Sequence, residues 1–429
     1  MERSVAATKN DQADGSRPLK LSSAELLAVL SYLTDVIPAG CHFHSWRVAL
    51  VSQHLAAALS PGVQRDVFYA GLLCDAGAVG ADQHITHYVT PEEQVEDVHV
   101  KSHAQRGAAL INWLPGMGAA AQLVALHHEW WNGRGHPGGK SGEAVPLGSL
   151  ILGIGAAADI AGCFRSRSSL RSVLPTLSSL TGHAWPQEVW AALVRSTNDA
   201  EFYRALTDPG ALPGLVKQKV TELKVPEELD NEQGVERTLH LFAALVDLKD
   251  PSTTGHSMRT ARRAEALARY MKLSDEDVRT AYRAGLVHDC GRLGVEGNLF
   301  NKSGRLSDKE METVRKHAEM TIRVLCCLPD CPEMMMLGQL AGHDHEWFDG
   351  HGYPDNLYGD NIPLISRVLS VVDAFDSMVS AKNYRLLTPK GAVVRLEQNA
   401  GTQFDPKVVE ALVAAVASGE LDEQVREAA

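Results

Sequence analysis

The segment HDHEWFDGHGYP at residues 343–354 recurs in imperfect form as HHEWWNGRGHP at residues 127–137. The first segment holds three histidines, two aspartates and a glutamate in twelve positions. The match continues in both directions along the chain at an offset of about 212 to 217 residues. Because motif order and spacing agree over that length, the sequence predicts two copies of one domain.

In the alignment of the two copies, six histidines and aspartates of the second copy pair with an identical or a different residue of the first. The aligned pairs are His256 with His44, His288 with Cys74, Asp289 with Asp75, His317 with His103, His345 with His128, and Asp373 with Ala156.

Helical signals dominate both copies. The stretch that begins LSSAELL predicts a capping box from Ser22 and Glu25, and LSDKEMETV predicts a second one from Ser307 and Glu310. No stretch shows the sustained two-residue alternation of a half-buried strand. An all-α fold of two tandem helical bundles is therefore expected.

Composition divides the chain into four regions. A polar tail is predicted over 1–20, a first copy over 21–205, a linker over 206–234 and a second copy over 235–420. The linker is rich in Pro, Gly and charge, although LVKQKVTELK within it has a helical pattern. Thr388-Pro389 and Asp405-Pro406 have the pattern of an N-cap followed by an N1 proline.

Charge and hydropathy narrow the functional classes. The formal net charge of −12 argues against a protein that coats DNA or RNA, because phosphate neutralisation needs a surplus of Lys and Arg. The N-terminus lacks the apolar core of a signal peptide, and the run LGSLILGIGAAADIAG is short for a membrane span. The seven cysteines form no CxxC pair, which favours free thiols in a reducing cytoplasm. A cytoplasmic protein without a membrane partner is expected.

Five separated segments of the second copy supply residues of the metal-ligand type. Imidazoles mixed with carboxylates suit first-row ions such as Fe, Mn, Co or Zn, and two such ions can activate water against a phosphoester. The apolar flanks of GLVHDCG and LSVVDAFD would bury the ligands. Taken singly, His317 could be a core or surface group and Asp373 could cap a helix or pair with Arg367. The candidate ligands are His256, His288, Asp289, His317, Asp344, His345 and Asp373.

Residues 235–390 resemble the HD-GYP family of HD-domain metal-dependent phosphohydrolases. The resemblance rests on HDCGR, DHEWFDGHGYP and IPLISRVLSVVDAFDSMVSAKNYR. It implies two tandem HD-domain helical bundles, of which the second has a binuclear centre that hydrolyses cyclic di-GMP or 3′3′-cyclic GMP-AMP. It also implies contacts between the GYP loop and diguanylate cyclase domains.

The resemblance assigns each ligand to one of two metals, most simply Fe or Mn. Ser252 stands where members with three metals carry a glutamate, which implies two metals. One metal would be held by His256, His288, Asp289 and Asp373. The other would be held by Asp289, His317, Asp344 and His345, with Asp289 as the bridge.

The sequence departs from the family pattern at two positions. Arg292 replaces the lysine that follows the HD motif, and it keeps the charge with a different reach. Asp344 replaces a histidine, and the adjacent His343 is a candidate substitute. Asp289 and Arg292 are the expected catalytic residues.

Other second-copy residues are candidates for contact with the substrate. Gly350, Gly352 and Pro354 are expected to form a tight turn beside the metals. Lys382 and Arg385 are candidates for binding the second phosphate, and a solvated face is the alternative for both. The substrate-binding candidates are Arg292, Gly352, Tyr353, Pro354, Lys382 and Arg385.

The first copy is interpreted as degenerate. It retains His44, Asp75, His103, His127 and His128. It has Cys74, Ala78 and Ala156 where the family has two metal ligands and a basic residue, and its GYP segment reads GRGHP. Such a copy could support the second one, form a homodimer, bind nucleotide without cleaving it, or hold one metal.

Three functions follow for the whole chain. The first is a phosphodiesterase that opens a cyclic dinucleotide to a linear dinucleotide and onward to mononucleotides. The second is a non-hydrolytic cyclic-dinucleotide receptor, which Arg292 and Asp344 motivate. The third is a phosphohydrolase that acts on another nucleotide.

Overall fold

A computed structural model describes residues 19–37, 40–41, 43–79, 85–87, 98–250, 253–295, 299–300, 302, 304–380 and 386–421. The candidate phosphate-binding residues Lys382 and Arg385 lie outside the described residues, as does Ser252.

The described chain is helical, and the all-α prediction is confirmed. Its only strands within those ranges are β1 (Val36–Ile37) and β2 (Gly40–Cys41), which pair antiparallel. The helices of the first half are α1 (Ser23–Thr34), α2 (His44–Leu59), α3 (Gln64–Leu73), α4 (Val98–Asn112), α5 (Gly118–Ala125), α6 (Leu147–Ile160), α7 (Arg167–Ser179), α8 (Gln187–Asn198) and α9 (Ala200–Thr207). Those of the second half are α10 (Leu212–Leu223), α11 (Glu232–Lys249), α12 (His256–Tyr270), α13 (Asp275–Val287), α14 (Asp308–Leu325), α15 (Pro332–Gly342), α16 (Leu364–Ser380), α17 (Pro389–Gln398) and α18 (Pro406–Ser418).

Local caps start several helices where the sequence predicts them. Ser307 and Glu310 form the expected capping box of α14. The side chain of Thr388 accepts a hydrogen bond from the Gly391 N–H, and Asp405 caps α18 in the same way. Each cap satisfies an N–H group that the first turn of a helix leaves without a partner.

The predicted capping box of α1 is wrong. Ser22 occupies the N-cap position, but its side chain makes no capping hydrogen bond. Glu25 pairs instead with the ammonium group of Lys217, which lies in α10. A long-range ion pair therefore replaces the local contact that the sequence pattern suggested.

The two copies repeat the same close helix packing. A Cβ atom on Gly71 of α3 would lie 2.5 Å from the Cα atom of Ala49 in α2. A Cβ atom on Gly285 of α13 would lie 2.5 Å from the Cα atom of Ala261 in α12. Only glycine permits this approach, which sets the end of α13 beside the start of α12 in the second copy.

The halves share a continuous apolar core. Helix α1 packs on α11, and the Ser23 hydroxyl donates a hydrogen bond to the Leu229 carbonyl at 2.7 Å. The predicted linker 206–234 contains α10, whose Val216 and Val220 side chains are buried. Among the described residues, no helix is both long and apolar enough to cross a bilayer.

Candidate metal centre

Seven predicted ligands converge at one end of the second copy. Gly291 brings the turn after α13 against α14, because a Cβ atom there would clash with the His317 carbonyl oxygen. His256 is the first residue of α12, His288 and Asp289 directly follow α13, His317 lies in α14, Asp344 and His345 follow α15, and Asp373 lies in α16.

The carboxylate of Asp289 stands in the middle of the cluster. Its Oδ2 lies 3.8 Å from His256 Nε2 and 3.6 Å from His288 Nε2. Its Oδ1 lies 3.6 Å from His317 Nε2 on the other side. One oxygen thus faces His256 and His288, and the other faces His317.

Asp373 lies with His256 and His288 on one side of the cluster, and His345 lies with His317 on the other. Asp373 Oδ1 lies 2.9 Å from His256 Nε2 and 3.9 Å from His288 Nε2. His345 Nε2 lies 3.0 Å from His317 Nε2. The described residues contain two groups with mutually close ligand atoms here, one of His256, His288 and Asp373 and the other of Asp344, His345 and Asp373.

Backbone carbonyls fix the direction of two imidazoles. His288 Nδ1 lies 2.9 Å from the Gly285 oxygen, and His317 Nδ1 lies 2.7 Å from the Val314 oxygen. A proton on each Nδ1 leaves Nε2 as the lone-pair donor that faces the cluster. Burial, together with the neighbouring His345, lowers the pKa of His317 to about 4, so this imidazole is neutral at pH 7.

Asp344 has no hydrogen-bond partner for either carboxylate oxygen within the described part of the chain, and the residue is 1% exposed. Burial raises its pKa well above the usual range, and the nearby Asp373 and Asp289 add to this effect. A buried carboxylate without a partner is costly unless a cation neutralises it. The donor set therefore fits divalent metal ions.

His343 does not take the place of the missing family histidine. Its Nε2 lies 2.8 Å from Asp355 Oδ2, and its Nδ1 lies 2.7 Å from the Gln339 carbonyl oxygen. These two contacts direct the ring toward the loop, so Asp344 is the residue that faces the centre.

Arg292 lies against the Asp289 carboxylate. Its Nη1 donates to Asp289 Oδ2 at 2.8 Å and its Nη2 to Asp250 Oδ2 at 3.2 Å. The guanidinium carbon lies 4.1 Å from the ring centre of Phe300. Burial opposes ionisation of Asp289, but Arg292 and the surrounding imidazoles hold its pKa well below the usual range.

Asp376 is a site residue that the sequence analysis missed. It accepts a hydrogen bond from His256 Nδ1 at 2.8 Å and from Arg259 Nε at 2.9 Å, and it also pairs with Arg263. Burial opposes its ionisation, but these bonds keep its pKa below the usual range. Asp376 thereby turns His256 Nε2 toward the cluster.

Glu346 anchors the GYP loop and was also missed as a site residue. Its carboxylate accepts hydrogen bonds from the backbone N–H groups of Asp355, at 2.6 Å, and Leu357, at 3.0 Å. Tyr353 stacks on His345 with ring centres 5.0 Å apart. A side chain on Gly352 would clash with the backbone of Trp347, so this loop lies directly on the ligand segment.

The first copy repeats both of these supports. His44 Nδ1 lies 2.7 Å from Asp159 Oδ2, as His256 does from Asp376. Glu129 accepts from the N–H groups of Gly138, at 2.6 Å, and Lys140, at 2.9 Å. Asp376 and Glu346 align with Asp159 and Glu129 in the sequence repeat. This recurrence was the sequence signal that could have revealed them.

The equivalent of the His256 side has lost two of its four candidate ligands in the first copy. Burial opposes protonation of His44, but its bonds to Asp159 and Asp75 raise its pKa to about 10. Burial and the adjacent Asp75 raise the pKa of the Cys74 thiol well above its usual value. The first copy thus has a neutral thiol at Cys74 and a methyl group at Ala156, where the second copy has His288 and Asp373.

Comparison with protein families matches an HD domain model over residues 42–159 and again over 240–408. One of these stretches lies in each copy.

Several bacterial proteins are similar to the chain. The 3′3′-cGAMP-specific phosphodiesterase 3 of Vibrio cholerae is 30% identical over 314 residues, which are 73% of this chain and 66% of that protein. The cyclic di-GMP phosphodiesterase response regulator RpfG of Xanthomonas campestris is 32% identical over 42% of this chain and 48% of its own. The chain thus spans slightly less than two thirds of the first relative and about half of the second.

A solved structure has the same architecture. The crystal structure of the cyclic GMP-AMP specific phosphodiesterase V-cGAP3 of V. cholerae superposes with a TM-score of 0.65 and 25% identity. The superposition covers 92% of this chain and 98% of that one, so both copies take part.

Proposed function

The chain belongs to the HD-domain family, and we propose that its second copy is a metal-dependent phosphodiesterase that opens a cyclic dinucleotide. The observation that carries the proposal is the convergence of six other buried or half-buried imidazoles and carboxylates around Asp289. The similarity to cyclic-dinucleotide phosphodiesterases of other bacteria supports the reaction class.

The proposed ligand sets follow the two sides of Asp289. One ion would be held by His256, His288, Asp289 and Asp373, and the other by Asp289, His317, Asp344 and His345. The proximity of Asp373 to Asp344 and His345 supports a second shared carboxylate. We expect Fe or Mn, since mixed imidazole and carboxylate donors suit such ions.

Divalent ions at this position would supply positive charge to the phosphoryl oxygens and lower the pKa of a water molecule. The protein residues around them orient the substrate. Arg292 would donate to a phosphate oxygen from its place beside Asp289. Tyr353, held on His345, offers a flat surface for a base. Lys382 and Arg385 remain proposed contacts for the second phosphate.

We propose cyclic di-GMP and 3′3′-cyclic GMP-AMP as the two candidate substrates. The relative that aligns with 73% of this chain is named for 3′3′-cGAMP, which makes this dinucleotide the first to test. Binding of diguanylate cyclase domains to the GYP loop and homodimerisation are further proposals.

The deciding experiment offers each cyclic dinucleotide separately to full-length protein loaded with Mn or Fe. Linear dinucleotide should appear with the parent chain and should be absent with Asp289→Ala. Metal per chain is measured on the same samples. If the parent chain releases no more product than Asp289→Ala while it holds its metals, the hydrolase proposal fails.

A non-hydrolytic receptor is the second candidate, and two departures from the family pattern favour it. Arg292 stands in place of the family lysine, and Asp344 stands in place of a histidine. Saturable binding of 3′3′-cGAMP to the metal-loaded chain, without product, would support this function.

A further inference from the structure

The turn that carries Arg292 is packed against a residue of the first copy. This Arg292 turn, the 3₁₀ helix Cys290–Gly294, directly follows Asp289. A Cβ atom on Gly294 would lie 2.6 Å from Cγ1 of Val36, which belongs to β1 and is 4% exposed. We infer that Val36 is a positioning residue for Arg292, so that the first copy completes the active site of the second. The inference rests on the proposed function and extends it to the first copy.

The second copy holds the other side of the Arg292 turn. The Gly291 N–H donates a hydrogen bond to Thr321 Oγ1 of α14 at 3.0 Å, and Met320 of the same helix lies against Gly294. Hydrogen bonds of a 3₁₀ turn have poorer geometry than those of an α-helix, so packing on both sides decides how firmly the turn is held. Truncation of Val36 would leave the side toward the first copy open.

The place of Arg292 matters because its guanidinium contacts two carboxylates at once. Nη1 donates to Asp289 Oδ2 at 2.8 Å, and Nη2 donates to Asp250 Oδ2 at 3.2 Å. Asp250 stands at the end of α11, outside the turn, so a shift of the turn would change the distance between Arg292 and Asp250. A misplacement of about 1 Å can cost about 100-fold in rate.

The segment that ends in Val36 is itself anchored in both copies. The adjacent Asp35 carboxylate accepts a hydrogen bond from the Ser45 N–H of α2 at 2.8 Å. Ahead of α1, the Leu19 N–H donates to Glu276 Oε1 of α13 at 2.8 Å. Helix α1 therefore lies between an anchor in the second copy and one in the first, and it fixes the place of Val36 against the turn.

A double-mutant cycle separates positioning from ordinary core packing. The full chain is loaded with Mn as parent, Val36→Ala, Arg292→Ala and the double variant. Val36→Ala should lower kcat/KM for 3′3′-cGAMP by about 10- to 100-fold. In the Arg292→Ala chain the same truncation should change kcat/KM by less than about twofold, because the group that Val36 positions is already absent. Unchanged kcat/KM in Val36→Ala would overturn the inference, and so would an equal loss in the Arg292→Ala chain.

Hydrogen exchange gives a readout that does not depend on hydrolysis. The N–H groups of Arg292 and Val295 donate to the carbonyl oxygens of Asp289 and Arg292, at 2.9 Å and 3.1 Å. Both amides should exchange faster in Val36→Ala than in the parent chain. Unchanged exchange over residues 290–295 in a folded Val36→Ala chain would overturn the inference. If the parent chain shows no hydrolysis, the proposed function fails by itself, and exchange still decides whether Val36 holds the turn.

Val67→Ala is the matched control. Val67 of α3 is also buried, and its Cγ2 would lie 3.1 Å from a Cβ atom on Gly148 within the first copy. The variant removes the same two γ-carbons and should leave kcat/KM and the exchange of residues 290–295 as in the parent. Gly294→Ala tests the contact from the turn, also when Val36→Ala does not fold. Its methyl group would press on Val36, so it should speed exchange and lower kcat/KM, and parent values of both would overturn the inference.

Discussion

Asp376 Oδ2 lies 2.8 Å from His256 Nδ1, and this contact joins a helix-borne carboxylate to the first residue of α12 across 120 positions of sequence. Arg259 and Arg263 pair with the same carboxylate. The arrangement repeats in the first copy between Asp159 and His44, with Arg47 as the partner. This contact between a carboxylate and a histidine is present in both copies, although their candidate ligands differ. We therefore infer that it stabilises the fold as well as the metal centre.

Asp376→Asn should weaken the centre of the second copy without removing a ligand. The asparagine amide is a neutral acceptor, so it holds the His256 ring less firmly than the carboxylate does. Loss of such a partner typically costs about 10- to 100-fold in metal affinity or activity. Metal affinity and kcat/KM for 3′3′-cGAMP measure the effect. Asp159→Asn makes the same change in the first copy and should leave kcat/KM unaltered. Equal losses in the two variants would mean that Asp376 acts only on stability.

Asp344→Asn should stabilise the metal-stripped chain at neutral pH. Asp344 has a raised pKa in the folded chain, so the folded state binds more protons than the unfolded state. The Asp344 carboxyl therefore lowers the free energy of unfolding as the pH rises above about 4. The gain from Asn should be absent below that pH and reach about 1–3 kcal/mol at pH 7.

Urea unfolding across pH, with and without metal, checks this expectation. Metal should reverse the order, because it neutralises Asp344 in the parent chain and finds a weaker ligand in the variant. A parent chain that is the more stable one at pH 7 after metal removal would contradict the role given to this carboxyl.

Arg292→Ala should lower kcat/KM by about 10²- to 10³-fold, the usual loss when one preorganised donor to a developing charge is removed. It also leaves Asp289 and Asp250 without their guanidinium partner. Arg292→Lys keeps the charge and should lose much less activity. Steady-state kinetics on metal-loaded protein separate the two, and equal activity of the alanine and parent chains would remove Arg292 from the reaction.

The seven clustered ligands were predictable because each stands in a motif whose spacing recurs along the chain. Asp376 was overlooked although Asp159 aligns with it in the first copy, because an aspartate within a helix shows its contact with His256 only in the folded chain. The capping box of Glu25 was predicted wrongly for a related reason. Its local spacing fits a capping box, but its carboxylate pairs with Lys217 from α10. Contacts between distant segments decided both cases.

Glu346→Gln should loosen the GYP loop and raise KM more than it lowers kcat. The carboxylate holds two backbone N–H groups, and an amide has only one oxygen for them. Loss of one charge-assisted bond should reduce the free energy of unfolding by about 1–3 kcal/mol. Glu129→Gln breaks the equivalent pair of bonds in the first copy and should cost similar stability with no change in KM. If both variants raise KM equally, the loop of the second copy does not position the substrate. The rise in KM then comes from the loss of stability that both variants cause.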